Sequence, residues 1–236
     1  MIGRQVRAEF LKLKRKGFWL WAILLPFGIV AMQMVNYGFR KEYLLQQSED
    51  DWAYYLANVS NFTPMALILG IVVITSYLSS IEDEHDSWKQ VLSLPVSKTV
   101  VYLAKSIVLV LLLALSSLLL SIFTWAYGLV LDLGDTIPYS ELIKKSSYPY
   151  VAAFPIFAIQ LWLAVISKNQ ALPLTVGIVG VILANASDFL PDWAIWKWPS
   201  LQNEWNQPGI NVMLGFGVGC LMYVISILDF VRRDVK

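Results

Sequence analysis

The chain of 236 residues contains one cysteine, Cys220, and one histidine, His85. A single cysteine excludes an intramolecular disulfide and a cysteine-rich metal site, and Cys220 reads as a small apolar residue of a membrane helix. A single histidine excludes a Ser–His pair inside the apolar segments and a histidine-based zinc site built from one chain. Neither an HExxH nor a GxxxxGK[ST] motif occurs, so the chain lacks the zinc-protease signature and does not bind ATP through a phosphate loop of its own. Charge is scarce as well, at 15% of residues against 57% hydrophobic, with a mean hydropathy of +0.59. That is the composition of an integral membrane protein. The net charge of +1 points to neither nucleic acid nor an acidic substrate.

What is present is length of apolar chain. A hydrocarbon core of roughly 30 Å needs about 20 apolar residues in helix. The sequence offers such runs near 18 to 37, 62 to 81, 106 to 131, 148 to 167, 171 to 190 and 210 to 231, which predicts an all-α membrane domain over 1–236 with six spans. The fourth and fifth are joined by the short turn Lys168 to Gln170. With the N-terminus inside, 13 of the 18 Lys and Arg fall in inner segments, so both termini and the 82–98 loop are expected to be cytoplasmic. The first apolar run lacks a small-x-small cleavage site, so a cleaved signal peptide is not expected. Residues 1–17 place Val6, Phe10 and Leu13 along one side amid basic residues, the pattern of an amphipathic helix in the headgroup region that turns into the bilayer at Gly17. A plain basic flank that sets topology is the alternative reading.

No Asp, Glu, Lys, Arg or His lies mid-span, which disfavours a proton- or sodium-driven transporter and directs any transport to an outside energy source. Polar side chains do occur there. Ser117, Ser121 and Thr124 recur at helical spacing, joined by Gln33, Asn36, Gln160 and Asn185. They are either a path for an amphipathic substrate or interhelical hydrogen bonds. Gly215, Gly217 and Gly219 lie in an apolar helix with no strand before it, which is no nucleotide-binding context, and Gly215 and Gly219 form a small-x-x-x-small face for close helix packing.

The most informative polar stretch runs from Glu82 to Lys105 between two long apolar runs. Glu82, Asp83, Glu84 and Asp86 suit a helix start, where carboxylates are favoured by unpaired amides. Trp88, Val91 and Leu92 share one side before Pro95 ends the helix. Glu82, Asp83 and Glu84 with His85 form a conceivable cation cluster, but a solvated helix start explains them. On the opposite side of the membrane, 191–209 packs Trp193, Trp196, Trp198 and Trp205 among prolines, as an aromatic belt or a gate. The 38–60 loop, with Trp52, Tyr54 and Tyr55, reads as an interfacial helix or an outer contact.

These features together resemble the permease subunits of type 2 ATP-binding-cassette exporters. In that family the loop between spans two and three carries a Glu, a polar turn, then Leu-x-x-Pro-Val/Ile-Ser-Arg/Lys and a later Lys; Glu84, Leu92, Pro95, Val96, Ser97, Lys98 and Lys105 match. The turn Asp86-Ser87-Trp88-Lys89-Gln90 departs from the usual Gly-Thr and is more similar to permeases of bacterial peptide-antibiotic resistance transporters, the lantibiotic or bacitracin type. The resemblance implies a coupling helix, carrying Glu82, Asp83, Glu84, His85, Asp86, Ser87, Trp88, Lys89, Val91 and Leu92, that docks on a separate ATP-binding subunit. It further implies two copies of that subunit holding ATP and Mg, a second permease, identical or paralogous, a bacterial cell membrane location, and re-entrant outer helices at 191–209. No cofactor, metal or catalytic residue is expected in this chain. A membrane protein whose loop docks a different cytosolic partner without transport is the competing expectation, and an intramembrane enzyme a distant third.

Overall fold

The computed structural model describes residues 2–14, 17–83, 97–134, 136–167 and 169–233. Every regular element among them is helical. In chain order these are α1 (Ile2–Lys14), α2 (Phe18–Leu45), α3 (Asp51–Asp83), α4 (Lys98–Leu131), α5 (Tyr139–Ala152), α6 (Phe154–Ile166), α7 (Ala171–Asn185) and α8 (Pro208–Arg232), with 3-10 turns at Ser187–Phe189 and Trp198–Ser200.

Four of the described helices, α2, α3, α4 and α8, are long and apolar enough to cross a membrane, and the bent pair α5–α6 makes a fifth. The chain is thus a multi-pass membrane protein. The fifth expected segment, 171–190, differs. Its helix α7 has 15 residues, which rise only about 22 Å against the roughly 30 Å of a hydrocarbon core. It stops at Asn185 because Asn, Ser and Asp in Asn185-Ala186-Ser187-Asp188 are poor helix formers that bond locally, with Pro191 beyond.

The expected 38–60 loop is also corrected, since α2 runs on to Leu45 and α3 starts at Asp51. The apolar run underestimates these helices because both continue past it on polar but helix-compatible residues, with α2 kinked at Arg40. Trp52 and Tyr55 point inward: Trp52 lies over Gly128, its Nε1 donates to the Gly134 carbonyl at 3.3 Å, and the Tyr55 hydroxyl donates to the Thr124 carbonyl.

The α5–α6 break has a local cause. Pro155 has no N–H for the carbonyl four residues back and disfavours helix at the residue before it, and the pair bends by 44° around Ala153. α8 crosses that bend at closest range. A β-carbon on Gly215 would stand 2.4 Å from the Ala152 Cα, and one on Gly219 2.5 Å from the Phe154 Cβ, whereas Gly217 faces open space. α7 packs on α3 in the same way, with Gly177 against Val72. Two buried clusters result. One centres on Ile68, Ile71, Tyr102, Leu109 and Phe157, the other on Tyr37, Trp52, Tyr55 and Leu120.

Candidate functional site

The helix order puts three groups of termini at one end: α1 with the start of α2, the end of α3 with the start of α4, and the end of α8 beside the α6–α7 turn. Most of the expected coupling segment, Glu84 to Leu92 with Trp88, lies outside the described residues. Glu82 and Asp83, placed by the sequence reading in the first turn of a new helix, are instead the last residues of α3, which contains no Pro or Gly after Gly70 to stop it.

The description resumes at Ser97, and here the matched motif acquires physical meaning. Ser97 is the N-cap of α4, extended at φ −67° and ψ 143°, with its side chain accepting from the Val100 N–H. Lys98 Nζ donates to the Arg233 carbonyl at 2.6 Å, so the first turn of α4 is tied to the end of α8. The Trp162 indole donates to Asp229 at 2.8 Å, and Arg233 Nε meets the same carboxylate oxygen at 2.6 Å, which joins α6 to α8 at this end.

Two turns further on, Lys105 is 1% exposed and meets the equally buried Glu9 of α1 at 3.5 Å. Lys12 joins the same carboxylate at 2.8 Å. Burial raises the Glu9 pKa, but Lys105 and then Lys12 outweigh it and hold the carboxyl below its ordinary value. The apolar side of α1 is used against the protein, with Val6 and Phe10 on the first core cluster and Phe10 stacked on Trp19 at 6.1 Å. At the end of α1, Gly17 adopts φ 73°, a conformation open to glycine at little cost, and so permits the turn into α2. Sequence reasoning missed Glu9. The available signal was that it is the one acid in residues 1–17 and falls on the Val6–Phe10 face.

At the opposite end the 191–209 segment folds into a cap over α3, α5 and α8. Its four tryptophans separate. Trp198 is 5% exposed, and Trp196 lies over Gly180 of α7, lining with Gln160 a cavity of about 10 Å³. Trp193 and Trp205 face outward at 79% and 58% exposure. Asp192 is the latch of the cap. Its Oδ1 accepts from Lys197 at 2.7 Å, its Oδ2 from the Glu204 N–H at 2.9 Å, and its carbonyl from the Trp198 indole at 2.7 Å. The Asn211 amide of α8 donates to the Trp198 and Gln202 carbonyls and accepts from Asn203.

The Glu204 amide and Lys197 hold the Asp192 carboxyl below its ordinary value. A depressed carboxylate contributes stability above its unfolded pKa of about 3.9 and loses it as pH falls through the folded value. Protection of the 191–209 peptide, measured as hydrogen exchange relative to the intrinsic rate at each pH, is therefore expected to be flat from pH 5 to 8 and to fall only below about pH 4. Asp192→Asn, which cannot pair with Lys197 as an ion, should be less protected from pH 5 to 8 and lose the acid-dependent step.

Between the two ends, the polar in-span residues fall in separate places. Ser117 lines a cavity of about 30 Å³ among α2, α3, α4 and α5, with Ser116, Thr63 and Ser146, on otherwise apolar walls. Its hydroxyl donates to the Ser146 carbonyl at 2.8 Å and Ser121 donates to the Ser117 carbonyl, while the Thr124 hydroxyl is buried. Gln160 belongs to the other cavity and donates to the Pro173 carbonyl at 2.7 Å, tying α6 to α7. Ser117 and Gln160 therefore line separate cavities. Gly215 and Gly219 pack against the bend within the same chain. Among the described residues no three His, Cys, Asp or Glu side chains group as metal ligands.

Residues 5–184 match the family model described as ABC-2 family transporter protein. No curated protein and no solved structure matches the chain.

Proposed function

This chain belongs to the ABC-2 family of transporter proteins, and we propose that it is the membrane permease of an ATP-driven exporter whose ATP and Mg are held by a separate subunit. The observation that carries the reading is a family match from residue 5 to residue 184 on a chain of long apolar helices that has no phosphate loop of its own. Family members generally work with an ATP-binding subunit. Two copies of that subunit would serve the complex, one docking on the segment from Glu82 to Leu92 of this chain, with Trp88 as the aromatic anchor, a residue type that dominates many interfaces at about 2 kcal/mol or more.

The capped and tethered start of α4 supports this assignment, because a push delivered just before Ser97 meets a helix already tied to α1 and α8. α8 exposes Met213, Phe216, Leu221 and Ile225, an apolar face suited to lipid or to a second permease, identical or paralogous. The α7 helix with the cap behind it would serve as the sixth crossing, with both termini cytoplasmic in a bacterial plasma membrane. The cap is suited to gate an outer exit, and a peptide antibiotic or other amphipathic molecule is the proposed cargo class.

The test is purification of the tagged chain in mild detergent with identification and ATPase assay of what accompanies it. An ATP-binding-cassette subunit retained by the native chain and lost, about thirtyfold in affinity, on Trp88→Ala is expected. A different cytosolic partner, or none, would instead favour a docking protein without transport.

A further inference from the structure

The Glu9–Lys105 pair is unusual for its place. Both side chains are 1% exposed, and they join the short helix α1 to the third turn of α4, the longest helix among the described residues. Charges are withdrawn from water at a cost that attraction only partly returns, so a buried pair is a poor device for stability alone. It is a good device for register. Apolar packing of Val6 and Phe10 allows α1 to slide along α4, since one hydrocarbon surface resembles another, whereas an ion pair is satisfied at a single alignment.

From these residues we infer that Glu9 and Lys105 are a positioning pair that makes α1 follow the base of α4. The inference rests on the permease reading, because it requires that α4 be displaced when ATP binds. Three observations carry it. The pair stands two turns after the Ser97 cap, so displacement at the start of α4 reaches it through continuous helix. Lys12 is held on the same carboxylate from the outer side, which fixes the Glu9 side chain between two cations. Phe10, next to Glu9, stacks on Trp19 in the first turn of α2, so a shift of α1 has a defined way onward into the first span.

The experiment is hydrogen exchange with mass spectrometry on the complete complex with its ATP-binding subunit, with and without MgATP and orthovanadate. In the native chain, peptides from 98–105 and from 2–14 are both expected to respond, each by about fivefold or more, the low end of coupling between linked sites. The double variant Glu9→Leu with Lys105→Met removes both members of the pair together, so neither is left as a buried charge without the other, and its thermal unfolding in detergent is measured beside the native chain. Its 98–105 peptide should respond as before while the response of 2–14 is lost, and Lys105→Arg should keep both. A double variant whose α1 still responds like the native chain overturns the inference, as does a native α1 that stays silent while 98–105 responds. Silence of 98–105 in the native complex would instead count against the permease reading itself.

Discussion

Gly215→Val is expected to cost about 3 kcal/mol or more and to lower the melting temperature in detergent by roughly 10 °C. The added β-carbon would stand 2.4 Å from the Ala152 Cα and 2.6 Å from its carbonyl oxygen. Those atoms are backbone, which cannot rotate away as a side chain would. They also sit beside the α5–α6 bend, where Pro149 and Pro155 already cost the helix hydrogen bonds. Either α8 backs off, losing its closest packing along α6, or the bend opens. Gly217→Val is the matched control, because nothing lies within 4 Å of that position. A Gly217 variant as damaged as the Gly215 variant would mean that helix propensity, and not the crossing, is at stake.

Trp198→Ala is expected to cost about 3 to 5 kcal/mol, the range for removing a large buried aromatic. The ring is 5% exposed, its N–H satisfies the Asp192 carbonyl, and its own carbonyl accepts from Asn211. Its loss would leave a void under the cap and an unpaired acceptor at Asp192. Trp193→Ala, at a residue 79% exposed, should leave the melting temperature within about 1 °C. Thermal unfolding and exchange of the 191–209 peptide report both. If Trp193 gates the exit, its variant alters export in an intact fold, whereas the Trp198 variant loses fold and export together. The four tryptophans, one group in the sequence, are two groups in the molecule.

How much was legible follows from such cases. The helices announced themselves because twenty apolar residues in a row have few other uses. Gly215 and Gly219 were readable as a packing face from their spacing alone. The extension of α2 and α3 through residues 38 to 60 was not, because apolar length measures the bilayer and not the helix. The division of Ser117 and Gln160 between two cavities was hidden as well, since helical spacing within one segment says nothing of the face another segment turns toward it.

The sequence by itself determined that this is a helical membrane protein without a phosphate loop, whose charged residues gather at the ends of its spans. Only the tertiary structure decided that Glu9 lies against Lys105, that Trp198 is inside and Trp193 outside, and that Gly215 and Gly219 meet the bend of their own chain. The physical reason is that lipid and protein interior are almost equally apolar. Hydrophobic patterning can therefore mark a face as dry, but the neighbour it faces is set by close packing between residues far apart in the chain.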